Sequence, residues 1–214
     1  MILQRGGIKL VRLQKENIEL VRRWRNDPDI QKRMEYRAYI TEEMQVAWFD
    51  RINNIYNSYF LISVKDEFVG LIHAADVHWK ENIAGNCGIF VWDKRYLESP
   101  KTVEASLLFT DFGFCCGMER IYIKVLRDNT MSISYNQAMG YRLLPGQDDV
   151  INQVYELIPD VYFKATAKLH EYAKTENKIH ITLSREEMTE FAFLVKRFVT
   201  NSGRYGITFV AETV

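Results

Sequence analysis

Between His73 and Glu81 the chain gathers four side chains able to take a proton from an amine: His73, Asp76, His78 and Glu81. An amine must be free of its extra proton before it can attack a carbonyl, and a base within hydrogen-bond or one-water reach serves that end. His73 and His78 are five positions apart, so on a strand they point to opposite faces and at most one looks into a given cleft. Asp76 shares the face of His78. Each of these residues is more often a satisfied polar group or one facing water than a catalytic base. A second group lies between Arg95 and Thr102, where a strand runs directly into a helix. A helix start leaves backbone N–H groups unpaired, and with the helix dipole these bind a pyrophosphate. Arg95 and Lys101 can add charge there, and Ser99 and Thr102 hydroxyls.

The elements that must position these groups follow from periodicity and punctuation. Ile8 to Leu13 reads as a strand, and Lys15 to Arg25 as a helix with Ile18, Val21 and Trp24 on one face, broken at Asn26-Asp27-Pro28. Thr41 offers an N-cap to a second helix carrying Val46, Trp48, Phe49 and Ile52. Tyr59 to Val64, Phe68 to Trp79 and Cys87 to Trp92 predict an antiparallel meander of three strands. Ser99-Pro100 opens a helix running to Cys116, Arg120 to Val125 alternates as a strand, and Asn129 opens a helix that Gly140 ends as a left-handed C-cap. Val154 to Leu157 predicts a closing strand and Pro159 to Lys174 a further helix. The remainder repeats the alternation as strand, helix over Arg185 to Thr200, and strand, with Ser184 and Glu187 forming a capping-box pair. A unit of that size cannot bury its own core, so it is expected to dock on the rest of the chain or on another subunit.

Composition narrows the field. The chain has 214 residues, enough for one ample domain or one with a small appendage, and 47% hydrophobic with 26% charged residues is the mix of a packed globular protein. Lys plus Arg equals Asp plus Glu at 28 each, which gives no long-range field for nucleic acid or an anionic membrane. Cys87, Cys115 and Cys116 form no CxxC pair, no metal site is expected, and the last two read as buried thiols. The N-terminal stretch lacks the apolar run of a signal peptide, so a reducing cytoplasmic setting is expected.

Four strings, VRRWRNDPDI, ITEEMQVAWFDRI, GIFVWDKRYLESPKTVEA and DNTMSISYNQAMGY, occur in the order of the GNAT (GCN5-related) N-acetyltransferase superfamily. Over about residues 8 to 165 the chain resembles its ribosomal-protein and amino-sugar acetyltransferase branch. The resemblance implies an α/β (α+β) fold with a mixed, mostly antiparallel central sheet flanked by helices. Residues 1–174 would form the acyltransferase domain and 175–214 a small C-terminal β-α-β extension. It implies acetyl-CoA as co-substrate, held at Phe90, Val91 and Trp92 of the central strand, at Arg95, Tyr96, Ser99, Lys101 and Thr102, and along Asn129 and Ser132. Against the family's phosphate loop this chain has Glu98 and Pro100 where glycines are usual, and Pro100 carries no N–H. An Asx cap accounts for Asn129 without any cofactor.

The same resemblance implies a tyrosine that protonates the leaving thiolate. Counted back from Gly140 that position holds Asn136, and the candidate Tyr135 is one residue early, about 100° round an ideal helix. The central strand would stabilise the oxyanion through a backbone N–H where it splays from its neighbour, and His73 or Asp76 would serve as base. Acceptor recognition would fall to Arg25, Asn26, Tyr36 and His78, with Met34, Trp48 and Trp79 as walls. The plainer account pairs Arg25 with a nearby acid and leaves Asn26 to cap its turn. Two readings stand: transfer of an acetyl group to a primary amine such as that of an amino sugar, with a homodimer as one arrangement of the protein; or a degenerate module that binds an acyl-CoA or a partner protein without catalysis.

Overall fold

The computed structural model describes residues 1–173, 177–201 and 203–214, and the expected domain boundary at 174/175 lies outside them. Among the described residues ten strands make one sheet. The first two, β1 (Ile2–Arg5) and β2 (Ile8–Arg12), form a hairpin turned by Gly6 in the left-handed region at φ 57°. The helices α1 (Ile18–Arg25), α2 (Pro28–Gln31) and α3 (Glu42–Ile52) follow, then β3 (Ser58–Val64), β4 (Glu67–His78) and β5 (Ile83–Val91). Next come α4 (Pro100–Cys115), β6 (Arg120–Leu126), α5 (Thr130–Ala138), β7 (Arg142–Leu143), β8 (Asn152–Leu157) and α6 (Pro159–Tyr172). The chain ends on β9 (Lys178–Leu183), α7 (Arg185–Glu190), α8 (Ala192–Thr200) and β10 (Thr208–Thr213). The sheet order is β10-β9-β1-β2-β3-β4-β5-β6-β8-β7, antiparallel except for β9/β10 and β5/β6.

Several expected elements differ in extent. The strand β1 was not read from the sequence; it matters because β9 pairs with it, antiparallel, through Ile2↔Thr182 and Leu3↔Ile181. The C-terminal segment thus docks by continuing the sheet, and its Ile179, Ile181, Leu183, Leu194 and Phe198 enter the same core as Leu3, Leu10 and Leu108. The helix expected over Arg185 to Thr200 is two helices, because Phe191 turns out of helical geometry at φ −105°, ψ 20°. Asp27 caps the short α2 through a bond from Asp29 N–H, in a stretch where the sequence showed only a helix break.

The expected caps form where local sequence dictates them. Thr41 accepts from Met44 N–H, Asn129 from Ser132 N–H, and Ser184 with Glu187 closes a capping box. Cys115 and Cys116 are buried free thiols.

Side-chain alternation along β4 and β5 separates two cores. Ile72, Val91 and Ile89 pack with Leu108 and Phe112 of α4. Leu71, Phe90 and Trp92 pack with Ile18 and Val21 of α1 and Phe49 and Ile52 of α3. Among the described residues no helix is long and apolar enough to cross a membrane, and no group of three His, Cys, Asp or Glu side chains is placed to hold a metal ion.

Candidate active site

Two parallel strands part in the middle of the sheet. Pairing between β5 and β6 runs from Ile83↔Arg120 to Cys87↔Ile123 and stops there, so Gly88 to Val91 stay bonded to β4 while their other edge faces open space. A cavity of about 830 Å³ fills this fork. It reaches both faces of the sheet: the start of α4 and the length of α5 line one end, and α1, the loop after α2 and β3 line the other. The expected splay of the central strand is thus where backbone N–H groups can meet an oxyanion.

At the α4 end, Ser99 is the N-cap of a 16-residue helix, yet its hydroxyl makes no capping bond, and the buried Oγ has no hydrogen-bond partner. Thr102 is buried, and its hydroxyl donates to the Tyr96 carbonyl. Asn129 and Ser132 line the cavity, with Asn129 spending one oxygen on its own helix cap. The two cations expected here lie elsewhere. Arg95 binds Asp93 at 2.6 Å and Glu67 at 2.8 Å, and Lys101 binds Glu104 at 2.7 Å. Neither lines the cavity, nor do Tyr96 and Trp92; the indole of Trp92 is buried against Trp24 and donates to Phe68 O. Acids captured the cations, Asp93 and Glu104 from close in sequence and Glu67 from 28 residues away, a competition that a motif placed by spacing does not register. Lys124 of β6, which the sequence reading passed over, lines the cavity and enters no ion pair among the described residues. Its alternation on an exposed strand position was the available signal.

Tyr135 lies in the fork despite its shifted position on α5. Its phenol donates to Ser106 Oγ at 2.7 Å, across on α4, and burial pushes it up to about 12, so it keeps its proton at neutral pH. Asn136 also lines the cavity but turns its amide back to Ser132 O. Ser106 was missed because nothing local marks it.

At the other end, His73 lines the cavity while Asp76 and His78, both exposed, do not. Asp76 sits at a kink of β4 with φ 54°, which interrupts the ladder opposite Gly85. The ring of His73 stacks on Tyr59 at 4.8 Å, and its Nδ1 is buried without a partner. Gly88 pairs with His73 across the ladder, and a Cβ there would lie 2.9 Å from Cε1. Glycine is therefore what leaves room for the imidazole. Burial, aided by the charge of Arg25, pushes His73 down to about 4, so the ring is neutral at pH 7.

Arg25 ends α1 and lies 5.9 Å from the centre of the Phe90 ring. It enters no ion pair among the described residues, and its Nε is buried and unbonded, so the acid pairing the sequence allowed is not made. Asn26 instead works on the backbone: its amide donates to Ile40 O and accepts from Ile40 N–H, both at 2.8 Å, pinning the loop that follows α2. From that loop Met34 and Tyr36 reach the cavity, as do Trp48 and Trp79.

No curated protein matches this sequence. Among solved structures the chain is similar to a putative acetyltransferase from T. thermophilus, at 20% identity and TM-score 0.63 over 80% of this chain and 96% of that one. It is similar to the nucleotide-linked sugar GNAT FdhC at 19% identity and TM-score 0.65, over 81% and 98%. With the ribosomal L7/L12 α-N-protein acetyltransferase RimL in complex with coenzyme A it shares 16% identity and TM-score 0.62, over 75% and 99%. These likenesses are of fold. Residues 8–142 match the acetyltransferase (GNAT) domain, and on that match over most of its length the chain belongs to the GNAT family and is an acyl-CoA-dependent N-acetyltransferase.

Proposed function

We propose that this protein transfers an acetyl group from acetyl-CoA to the primary amine of a small amino sugar, within the fork between β5 and β6. The observation that carries the reading is a continuous cavity with two chemically different ends on opposite faces of the sheet. The lining fits a coenzyme at the α4 end: the positive end of a 16-residue helix, an unpartnered buried hydroxyl on Ser99, and the amide of Asn129, although Pro100 offers no N–H there and Thr102 N–H is bonded to Ser99 O. Lys124 is a nearby cation with no ion pair among the described residues, whereas Arg95 and Lys101 are held by acids. When bound, acetyl-CoA supplies the activated thioester.

The chain's own groups then divide the work. The open edge of Gly88 to Val91 offers N–H groups to a carbonyl oxygen. Tyr135 holds a proton at its phenolic oxygen for the departing sulfur. His73, neutral and with a free Nδ1, accepts a hydrogen bond from an amine that arrives unprotonated; near 4 it is too weak a base to strip an ammonium. Asp76 and His78 lie outside the cavity and have no part in this scheme. The aromatic walls from Tyr59, Trp48 and Tyr36 suit the apolar face of a sugar ring.

The test is thiol release from acetyl-CoA with glucosamine and its derivatives, beside peptides with free N-termini, the product being identified by mass spectrometry. N-acetylated sugar supports the reading. Release with peptides alone overturns the sugar acceptor and leaves a protein N-terminus in its place.

A further inference from the structure

Arg25 is a half-buried guanidinium at the acceptor end of the cavity, its Nε enclosed, with no carboxylate bound to it among the described residues. Buried charges are ordinarily paired, because the protein interior replaces little of the hydration they lose. Two more deeply buried arginines obey that rule: Arg5 binds Asp111 at 2.6 Å, and Arg12 lies 3.8 Å from Glu190 and 4.2 Å from the centre of the Phe191 ring. Arg197, half-buried like Arg25, has no carboxylate among the described residues but spends its donors on the carbonyls of Cys116 and Trp79 and on Asn82 Oδ1. Arg25 has only the π-face of Phe90, together with Tyr59 and His73, neither of which is anionic at neutral pH. A second cation, Arg33, lines the same cavity at its exposed rim without an ion pair among the described residues. The carboxylates on the lining are Glu35 in the exposed loop after α2 and Glu98 beside the start of α4.

We infer that the acceptor carries an oxyanion, a phosphate or a carboxylate, and that Arg25 binds it, so that the preferred substrates are anionic amino sugars and not neutral ones. This rests on the amino-sugar reading above and narrows it. A planar guanidinium presents paired N–H donors that match either oxyanion, and losing water on binding strengthens the contact. The stacked pair of Tyr59 and His73 beside it then sets the sugar ring, and the amine lies toward the fork.

The experiment measures kcat/KM for glucosamine, glucosamine 1-phosphate, glucosamine 6-phosphate and 2-amino-2-deoxyglucuronate, with the wild-type protein, Arg25→Gln and Arg25→Lys. The expected result is a wild-type preference for at least one anionic member over glucosamine. That ratio should fall about 30-fold or more in Arg25→Gln and partly recover in Arg25→Lys. The phosphate and carboxylate arms tell the two oxyanions apart. No wild-type preference for an anion, or equal losses on every sugar in Arg25→Gln, overturns the inference. Should no sugar be acetylated, the sugar reading fails by itself, and the anion site is read from melting temperature: glucose 6-phosphate but not glucose should stabilise wild type and leave Arg25→Gln unmoved. Equal shifts in both proteins would overturn it.

Discussion

Two charges a few elements apart, one enclosed and one half-buried, meet opposite fates. Asp111, in the middle of α4 and wholly enclosed, accepts from Arg5 of β1 at 2.6 Å and from the Tyr162 hydroxyl of α6 at 2.7 Å, with His170 at 3.5 Å. Arg25, at the end of α1, meets no acid among the described residues. The first cluster joins three elements across the core and leaves its carboxylate nothing further to bind. The second faces a cavity and keeps its donors open. The difference separates polar groups placed to hold the fold from polar groups placed to receive a ligand, and each side of it can be broken by a single change.

The largest effect is expected at the satisfied cluster. Asp111→Ala strands the Arg5 guanidinium, whose Nε and second terminal nitrogen already lack partners, in a buried place with no other carboxylate bound to it among the described residues. Losing one member of such a pair costs about 3–5 kcal/mol, to be read from urea unfolding. A loss under about 1 kcal/mol would mean that water reaches Arg5 and that the cluster is not what holds β1, α4 and α6 together.

Next comes the fork. Tyr135→Phe removes the proton held beside Ser106 while keeping the ring, and kcat should fall roughly 100-fold, the lower range for a lost general acid. Stability should change little, since Ser106 is left with one neutral hydrogen bond fewer, worth about 1 kcal/mol. If kcat is untouched, water protonates the sulfur and the tyrosine only packs.

Much of the frame was legible in the sequence because it is decided locally. Caps at Thr41, Asn129 and Ser184, the proline at the start of α4, and the alternation of β4 and β6 all follow from neighbours a few residues away. What escaped depends on distant partners. The four residues of β1 become a strand because β2 and the remote β9 bond to either side. For Tyr135 spacing speaks only of its angle on one helix, whereas its place is set by Ser106 on another. Spacing assigned Arg95 and Lys101 to a phosphate, and only three-dimensional contact reveals Glu67 and Asp93 around the first and Glu104 beside the second. For Arg25 the sequence left acid pairing open, and no rule of spacing decides what lies across a cleft.

The pH dependence of stability sharpens the comparison at His73. Its folded value near 4 lies below the usual 6.5, so the unfolded chain binds more protons between those values and stability must fall as pH drops through that window. Between pH 7 and pH 5 the wild-type protein should lose about 2 kcal/mol from this source. His73→Gln should lose correspondingly less over the same interval. Parallel unfolding curves for the two proteins at both pH values would show that the imidazole is hydrated and free to take its proton, and with it the argument for a neutral hydrogen-bond acceptor would go.

The smallest expected change is the most telling, because it is the mirror of the first. Arg25→Met keeps the length of the side chain and its contact with Phe90 but removes a charge that no acid offsets among the described residues. Burial already holds the guanidinium below its usual pKa, which means that the fold works against the charge instead of gaining from it. Without ligand, the substitution should therefore leave stability within about 1 kcal/mol of wild type or raise it, as replacements of uncompensated polar groups at binding sites do. A loss comparable to that of Asp111→Ala would place Arg25 among the groups that hold the fold, and the contrast between the two charges would collapse.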